Sequence, residues 1–205
     1  MNLRDRLRRY WYQHRLRDPA YAFLFGEEHP DERVVIDCET TGLDPATDEL
    51  LSVAALPVRG DRILTSRALR LTVRPEGRIS EEAIHIHQLR HRDVAEGLSP
   101  REAMDRLLHF VGTRPLVGYY LEFDVAMIEK YVRPWLGIRL PNRRLEVSAI
   151  YHDKRIGLIP QKPVDLRLNT ILDELRIPRL GEHDAYNDAL MTAMAYVKLG
   201  HLKRI

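Results

Sequence analysis

The sequence predicts a mixed α/β domain, a sheet with helices packed on its faces. Three strand-like segments follow one another between residues 33 and 73, two of them around Gly60-Asp61, a two-residue hairpin signal. Beyond residue 99, segments of helical periodicity alternate with short apolar runs. Adjacent strands first, then alternating helices and strands, is the order of a mixed sheet covered by helices. The chain has 205 residues, 44% of them hydrophobic and 30% charged. That is enough for one packed domain with an extension, and too apolar for a disordered chain.

Each element has a local reason. Arg33 to Asp37 is a short β-branched run, the pattern of a buried strand. Glu39 to Pro45 carries turn chemistry, punctuated by Gly42 and Pro45. Leu50 to Arg59 and Ile63 to Val73 are the next two strands. Ser80-Glu81-Glu82 opens a helix that runs to Leu89. Ser99 at the N-cap, Pro100 at N1 and Glu102 at N3 open another, with Met104, Leu107, Leu108 and Val111 on its apolar stripe and Gly112 at its end. Pro115 to Tyr119 is a short strand. Asp124 to Trp135 is helical, and Asp124 reads on its own as a helix cap. Leu145 to His152 fits a strand end or a helix. Leu166 to Leu175 is a helix stopped by Ile177-Pro178, and Asp184 to Leu199 is the last helix.

Residues 1–32 differ in character from residues 33–205. The first 17 residues carry six Arg against one acid, Asp5. Leu3, Leu7, Tyr10 and Trp11 form a partial helical stripe, and Tyr21-Ala22-Phe23-Leu24-Phe25 is an aromatic cluster. Glu27, Glu28, Asp31 and Glu32 read as a solvated join to the main domain. The extension fits a helix packed on the domain or on a second copy, a basic arm on nucleic acid, or a helix docking a membrane surface or a protein partner. Net charge is only +2, so no global field demands a polyanion, although 27 of the 32 basic residues are Arg, whose forks match phosphate. An Arg-biased genome gives the same count. No apolar run approaches the roughly 18 residues of a membrane span. No apolar stretch follows the basic N-terminus, so a signal peptide is not expected. The lone cysteine, Cys38, excludes an internal disulfide framework and suits a reducing cytoplasm.

Asp37 and Glu39 end the first strand and, with a period of two, point to one face. Adjacent carboxylates repel and are best tolerated when they share a cation, and hard oxygen ligands fit Mg²⁺ or Mn²⁺. Two solvated acids at an exposed strand end are the other reading of that pair. Asp124 and Asp188 add a third and fourth acid. His183 precedes Asp188 by five residues, which on a helix would place them about 140° apart. His183 is therefore expected on the loop before the last helix, with Asp184 capping it. Cys38, between the two acids, is expected to face the core. His85, His87 and His91 have no cysteine cluster beside them and read as ordinary helix and loop histidines.

Taken in order, Asp37-x-Glu39-Thr40-Thr41-Gly42-Leu43, then Phe123-Asp124, then His183-x-Ala185-x-x-Asp188 resemble the three motifs of the DEDDh exonuclease family. These ribonuclease-H-like 3′–5′ exonucleases include the proofreading epsilon subunit of DNA polymerase III, oligoribonuclease and ribonuclease T. The resemblance spans Arg33 to Gly200. It implies a ribonuclease-H-like mixed sheet of five strands with helices on both faces and an acidic site at strand ends. It further implies Asp37, Glu39, Asp124 and Asp188 as ligands of two Mg²⁺ or Mn²⁺, His183 as general base, and Glu39 as a group that orients water. Thr40, Thr41, Gly42, Leu43, Tyr120 and Phe123 would touch the terminal nucleotide. Asp184 stands where the sister DEDDy group has tyrosine.

The implied reaction is hydrolysis of phosphodiester bonds at the 3′ end of single-stranded DNA, in preference to RNA, releasing nucleoside 5′-monophosphates. The alternatives are an exoribonuclease like oligoribonuclease or ribonuclease T, and a weakly active binding subunit. Residues 1–32 would be available to dock a polymerase or other protein partner. The chain departs from the family where Tyr119-Tyr120 replaces His-Asn, Glu146-Val147-Ser148 replaces Asp-Thr, and Gln88 replaces Gly.

Overall fold

A computed structural model describes residues 3–27, 29–77, 94–156, 163–181 and 183–201. The helix expected from Ser80 to Leu89, with His85, His87, Gln88 and the nearby His91, lies outside these residues. The sheet is built on β1 (Glu32–Thr40), which pairs antiparallel with β2 (Leu50–Arg59) over nearly its whole length. On its other edge β1 pairs parallel with β5 (Leu116–Gly118), and β5 pairs parallel with β6 (Arg144–Glu146). The hairpin at Gly60-Asp61 leads into β3 (Arg62–Ile63), and β4 (Leu69–Thr72) continues along the same edge of β2. The order is thus β3-β2-β1-β5-β6, with β4 also on β2.

The single strand expected from Ile63 to Val73 is divided, because Thr65–Arg67 forms a 3₁₀ turn between β3 and β4. Between the pairs Val58–Ile63 and Ala55–Leu69 the return chain carries three more residues than β2. An odd insertion exchanges the two faces of a strand. Ile63 accordingly packs with one side of the sheet, while Leu71 and Val73 pack with the other.

Alternation along β1 and β2 divides the core in two. Val34, Ile36, Val53 and Ala55 face α2 (Pro100–Val111) and α3 (Leu121–Leu136). Val35, Ala54, Leu56 and Val58 face α4 (Val147–Ile156), α5 (Leu168–Glu174) and α6 (Ala185–His201). α6 lies across β2, β1 and β5, and its buried Ala189, Ala193 and Ala195 let it approach them closely. The capping box of α2 forms as the sequence requires: Ser99 Oγ accepts from the Glu102 N–H, and Glu102 accepts from the Ser99 N–H. Leu145 to His152 is both things at once, the end of β6 and the start of α4. α3 begins three residues before Asp124, so Asp124 is not its cap. Among the described residues no helix is long and apolar enough to cross a membrane.

The N-terminal segment is packed onto this frame. α1 (Leu3–Arg15) leads to a 3₁₀ turn at Pro19–Phe25, capped by Asp18. Tyr21 and Leu24 are buried in the same core as α2 and α3. The Tyr21 hydroxyl donates to Asp105, and its ring meets Trp135 edge-on at 4.6 Å.

Glu32 is not part of a solvated join. Its carboxylate accepts from Arg59 Nε at 2.8 Å and from Arg114 Nη1 at 3.1 Å. These hydrogen bonds, the one from Arg59 foremost, hold its pKa below the usual glutamate range against the opposing effect of burial. The network ties the start of β1 to the end of β2 and to the chain entering β5. Glu32→Ala leaves the enclosed Arg114 guanidinium without its carboxylate and should cost about 2–3 kcal/mol, below the range for a fully buried pair. Urea denaturation checks this, and a loss under about 0.5 kcal/mol would make the network dispensable.

Candidate active site

β1 carries Asp37 and Glu39 to the face covered by α6, and Asp188 comes from the first turn of that helix. One carboxylate oxygen from each of the three lies within 4.8 Å of the other two. The start of α6 is fixed three ways. The Asn187 N–H donates to Asp184 Oδ1 at 2.9 Å, making Asp184 the cap. Asn187 Nδ2 donates to the Gly181 carbonyl at 3.2 Å. The Arg70 guanidinium on β4 lies over the Tyr186 ring, 3.3 Å from its centroid.

Asp124 arrives from the other side of the sheet, in the first turn of α3. It is buried, and its Oδ1 accepts from the Cys38 N–H at 3.1 Å. It stands outside the triple of Asp37, Glu39 and Asp188 but close enough to act strongly on Asp37. The capping of α3 falls to Glu146, a residue whose role the sequence reading missed. Glu146 ends β6 beside Gly118, and its carboxylate accepts from the N–H groups of Tyr120 (3.1 Å) and Leu121 (2.9 Å). It also accepts from the Ser148 N–H and hydroxyl. The signal available in the sequence is an acid at the end of one short strand, followed by a serine two residues on. Cys38 packs toward α2 and α3, as expected, and burial together with Asp124 and Asp37 pushes its thiol up.

His183 lies on the loop before α6, exposed, with a left-handed backbone (φ 62). Its N–H donates to the Asp188 carboxylate. Tyr120 is also left-handed (φ 56). Among the described residues only Arg176 shares this conformation outside glycine. A left-handed backbone costs a side-chain-bearing residue roughly 1–2 kcal/mol, and two of the three cases stand four and five residues before Asp124 and Asp188.

The expected nucleotide contacts divide. Thr40 Oγ1 donates to the Gly42 carbonyl at 2.6 Å, and Thr41 Oγ1 donates to Asp48 Oδ1 at 3.2 Å while accepting from the Glu49 N–H. Both hydroxyls thus brace the loop after β1. Gly42 sits so close to Asp48 that a Cβ would lie 2.5 Å from its carboxylate. Leu43 is 84% exposed at the loop tip. The two tyrosines diverge, although β5, expected to run from Pro115 to Tyr119, ends at Gly118 and both lie in the bend that follows it. Tyr119 turns inward, its hydroxyl donating to the Leu166 carbonyl and accepting from the Leu168 N–H. Tyr120 is 69% exposed, its ring nearly parallel to Phe123 at 6.2 Å.

Burial first, then Asp124, Asp188, Glu39 and Asp184, raise Asp37 well above the usual aspartate range. The charges that act most on Asp37 are therefore all carboxylates. Asp124 is raised by burial against the lowering effect of hydrogen bonds from Cys38. Asp188 is pushed up to about 6, by burial and then Glu39, with His183 opposing. Each acid is thereby primed to take up a proton or a cation. An all-oxygen donor set of this charge fits a hard divalent cation such as Mg²⁺ or Mn²⁺.

A raised folded-state pKa means the native state holds the proton more tightly than the unfolded chain. The associated stability is fully present below about pH 4 and is lost as pH rises through about 6. Asp188→Asn removes that loss. In EDTA at pH 8 it should stabilise the protein by about 1–2 kcal/mol at this half-buried position, roughly 2–8 °C in Tm, with a smaller gain at pH 5. Thermal melts at both pH values test this, and an unchanged or lower Tm at pH 8 contradicts a repulsive cluster.

Comparison with known proteins agrees with this geometry. The model of the exonuclease family RNase T matches residues 34–196. The DNA polymerase III epsilon subunit of Aquifex aeolicus is 28% identical over 166 residues, 81% of this chain and 79% of that protein. PolC-type DNA polymerase III of Thermotoga maritima is 22% identical over 165 residues, 80% of this chain but only 12% of the relative's length. Oligoribonuclease of Leifsonia xyli subsp. xyli is 29% identical over 133 residues, 58% of this chain and 64% of that protein. Among solved structures, E. coli exonuclease I in complex with a dA16 oligonucleotide superposes with a TM-score of 0.67 at 17% identity, covering 84% of this chain and 41% of that one. The fold is ribonuclease-H-like, and the chain belongs to the RNase T exonuclease family, the DEDD-type 3′–5′ exonucleases.

Proposed function

We propose that this chain hydrolyses the terminal phosphodiester at the 3′ end of single-stranded DNA and releases nucleoside 5′-monophosphates. The observation that carries this reading is the convergence of the Asp37, Glu39 and Asp188 carboxylates within 4.8 Å at the end of β1. Together with Asp124 they are the residues to hold two Mg²⁺ or Mn²⁺. Such ions, when bound, stabilise the attacking and leaving oxygens of an in-line displacement.

In the reaction a water oxygen bonds to the terminal phosphorus, and the bond from phosphorus to the 3′ oxygen of the shortened strand breaks. His183, exposed beside Asp188, takes the water proton on an imidazole nitrogen. Glu39 orients that water. The departing 3′ oxygen takes a proton from solvent. Tyr120 and Phe123 offer parallel rings for stacking on a base, in place of the polar pair that the family carries at Tyr119-Tyr120. Leu43, exposed at its loop tip, offers an apolar edge to the same nucleotide. The single half-buried thiol, Cys38, is compatible with a cytoplasmic setting.

The deciding experiment incubates 5′-labelled single-stranded DNA and RNA of one sequence with the protein and Mg²⁺ or Mn²⁺. The expected result is a ladder that shortens from the 3′ end, faster on DNA. Faster shortening of RNA would move the chain to the exoribonuclease reading that the oligoribonuclease relative favours. Binding without cleavage would make it a docking subunit.

Two variants refine the roles. His183→Ala should lower kcat by about 10²–10⁴-fold while Mn²⁺ still raises Tm. Wild-type turnover in that variant across pH 5.5–8 removes the histidine from the chemistry. Tyr120→Gly should separate stability from binding. It relieves the left-handed backbone, raising stability by a few tenths to about 1 kcal/mol. It also removes the stacking face, raising KM by roughly 5- to 100-fold. A KM that stays put while stability rises would show the ring to be idle.

A further inference from the structure

We infer that a basic groove between the N-terminal arm and the outer side of α3 binds the phosphates of single-stranded nucleic acid, inward of the 3′ end held at the acidic site. This rests on the exonuclease reading above and adds a binding site to it. Two adjoining clefts of about 670 and 400 Å³ make the groove. Arg17 and Arg133 line both and so join them. Lys130 and the loop residues Pro45 and Ala46 line the first, and Trp11, Arg15 and Arg139 line the second.

Arg15, Arg17, Lys130 and Arg133 have no carboxylate partner among the described residues. Among the described residues Glu129 is the one carboxylate lining either cleft, and it is already held by Arg144 at 2.7 Å and Arg139 at 3.8 Å. Arg133 is exposed, and among the described residues its guanidinium has no hydrogen-bond or ion-pair partner. Arg17 donates to the Pro134 carbonyl at 2.7 Å and has no carboxylate partner among the described residues. Arg15 lies over the half-exposed Trp11 ring, 4.5 Å from its centroid. Clustered like charges raise the energy of a fold unless an anion meets them.

The arm is built into this position. The Arg17 N–H donates to the Leu136 carbonyl at 3.0 Å. Gly137 is left-handed, and a Cβ there would lie 3.0 Å from the Arg15 carbonyl and from the Arg17 side chain. A half-exposed aromatic ring among arginines that mostly lack a carboxylate partner is a combination that holds a single strand without regard to sequence, rings stacking on bases and guanidinium groups on phosphates. The chain that walls the groove starts at the acidic site. The loop of residues 41–48 leaves the end of β1 directly after Glu39 and Thr40, and its Pro45 and Ala46 form one wall of the groove. Lys130 Nζ donates to the Asp48 carbonyl at 2.6 Å, fastening that wall to α3. Trp11, Arg15 and Arg17 precede the segment that the family model matches, so the arm enlarges the binding surface beyond the family's domain.

The test compares the full chain with its Arg15→Gln/Arg133→Gln variant, using fluorescence-labelled phosphorothioate dT 4-mers and 20-mers that resist hydrolysis. The wild type should bind the 20-mer more tightly, with the steeper salt dependence. The variant should bind the 20-mer at least 10-fold more weakly and the 4-mer unchanged. Its slope of log Kd against log salt should fall by about 1.4, at roughly 0.7 per single-strand contact. Unchanged 20-mer binding, or equal weakening of both lengths, overturns the proposal. So does unchanged oligonucleotide binding with altered sedimentation mass or altered binding to anionic vesicles, which assigns the face to a protein or a lipid surface. Binding to inert oligonucleotides needs no turnover. A protein that cleaves nothing therefore fails the exonuclease reading, while the length and salt dependence still decide the groove.

Discussion

Repulsion among carboxylates is the condition that the rest of this molecule is arranged to withstand. Asp37, Glu39, Asp124 and Asp188 come from one strand and two helices that lie on opposite faces of the sheet. Left to electrostatics they would separate. They stay because the elements that carry them are fixed by apolar burial elsewhere. β1 is sandwiched between two cores, and its Val34, Val35 and Ile36 are essentially sealed from solvent just before the acids begin. α3 and α6 bury long apolar faces of their own. The oily part of each element secures its charged end.

Polar contacts then set the aim of each acid. Glu146 satisfies the start of α3, so Asp124 is left to receive the Cys38 N–H. Asp184 satisfies the start of α6, and the stacking of Arg70 on Tyr186 fixes that end to β4. The left-handed residues Tyr120 and His183 turn the chain sharply into those two helices. Tyr119, inward, ties the same corner to α5. Strain and capping are therefore concentrated where the acids converge, and the outer face of α3 is free to meet the arm.

What the sequence discloses depends on how far each interaction reaches. The capping box at Ser99, the hairpin at Gly60-Asp61 and the shared face of Asp37 and Glu39 involve residues within a few positions of one another, and each is legible. So is the placing of His183 outside the helix, which follows from its spacing to Asp188. Glu32 reads as a solvated acid because its partners, Arg59 and Arg114, are 27 and 82 residues away. Asp124 reads as a cap because nothing nearby reveals that Glu146, 25 residues beyond Leu121, takes that role. The break between β3 and β4 is hidden because Ile63, Leu69, Leu71 and Val73 share one alternating parity, as on a single unbroken strand, and only the register with β2 shows that Ile63 faces the other way. The arm's seat on Gly137 is likewise a contact between distant parts of the chain.

The central position of β1 also bears on the order of folding. Its antiparallel partner β2 is its neighbour in sequence, so Asp37 and Glu39 are set side by side as soon as that pair forms. The contact of Cys38 with Asp124 spans 86 residues, and Asp188 lies further still along the chain. Closing such distant contacts is entropically slow. Most of the electrostatic penalty is thus incurred when α3 and α6 settle onto the sheet, not when β1 and β2 pair. It follows that the charge of this cluster acts on the docking of those two helices and spares the β1–β2 pair on which the first two acids are mounted.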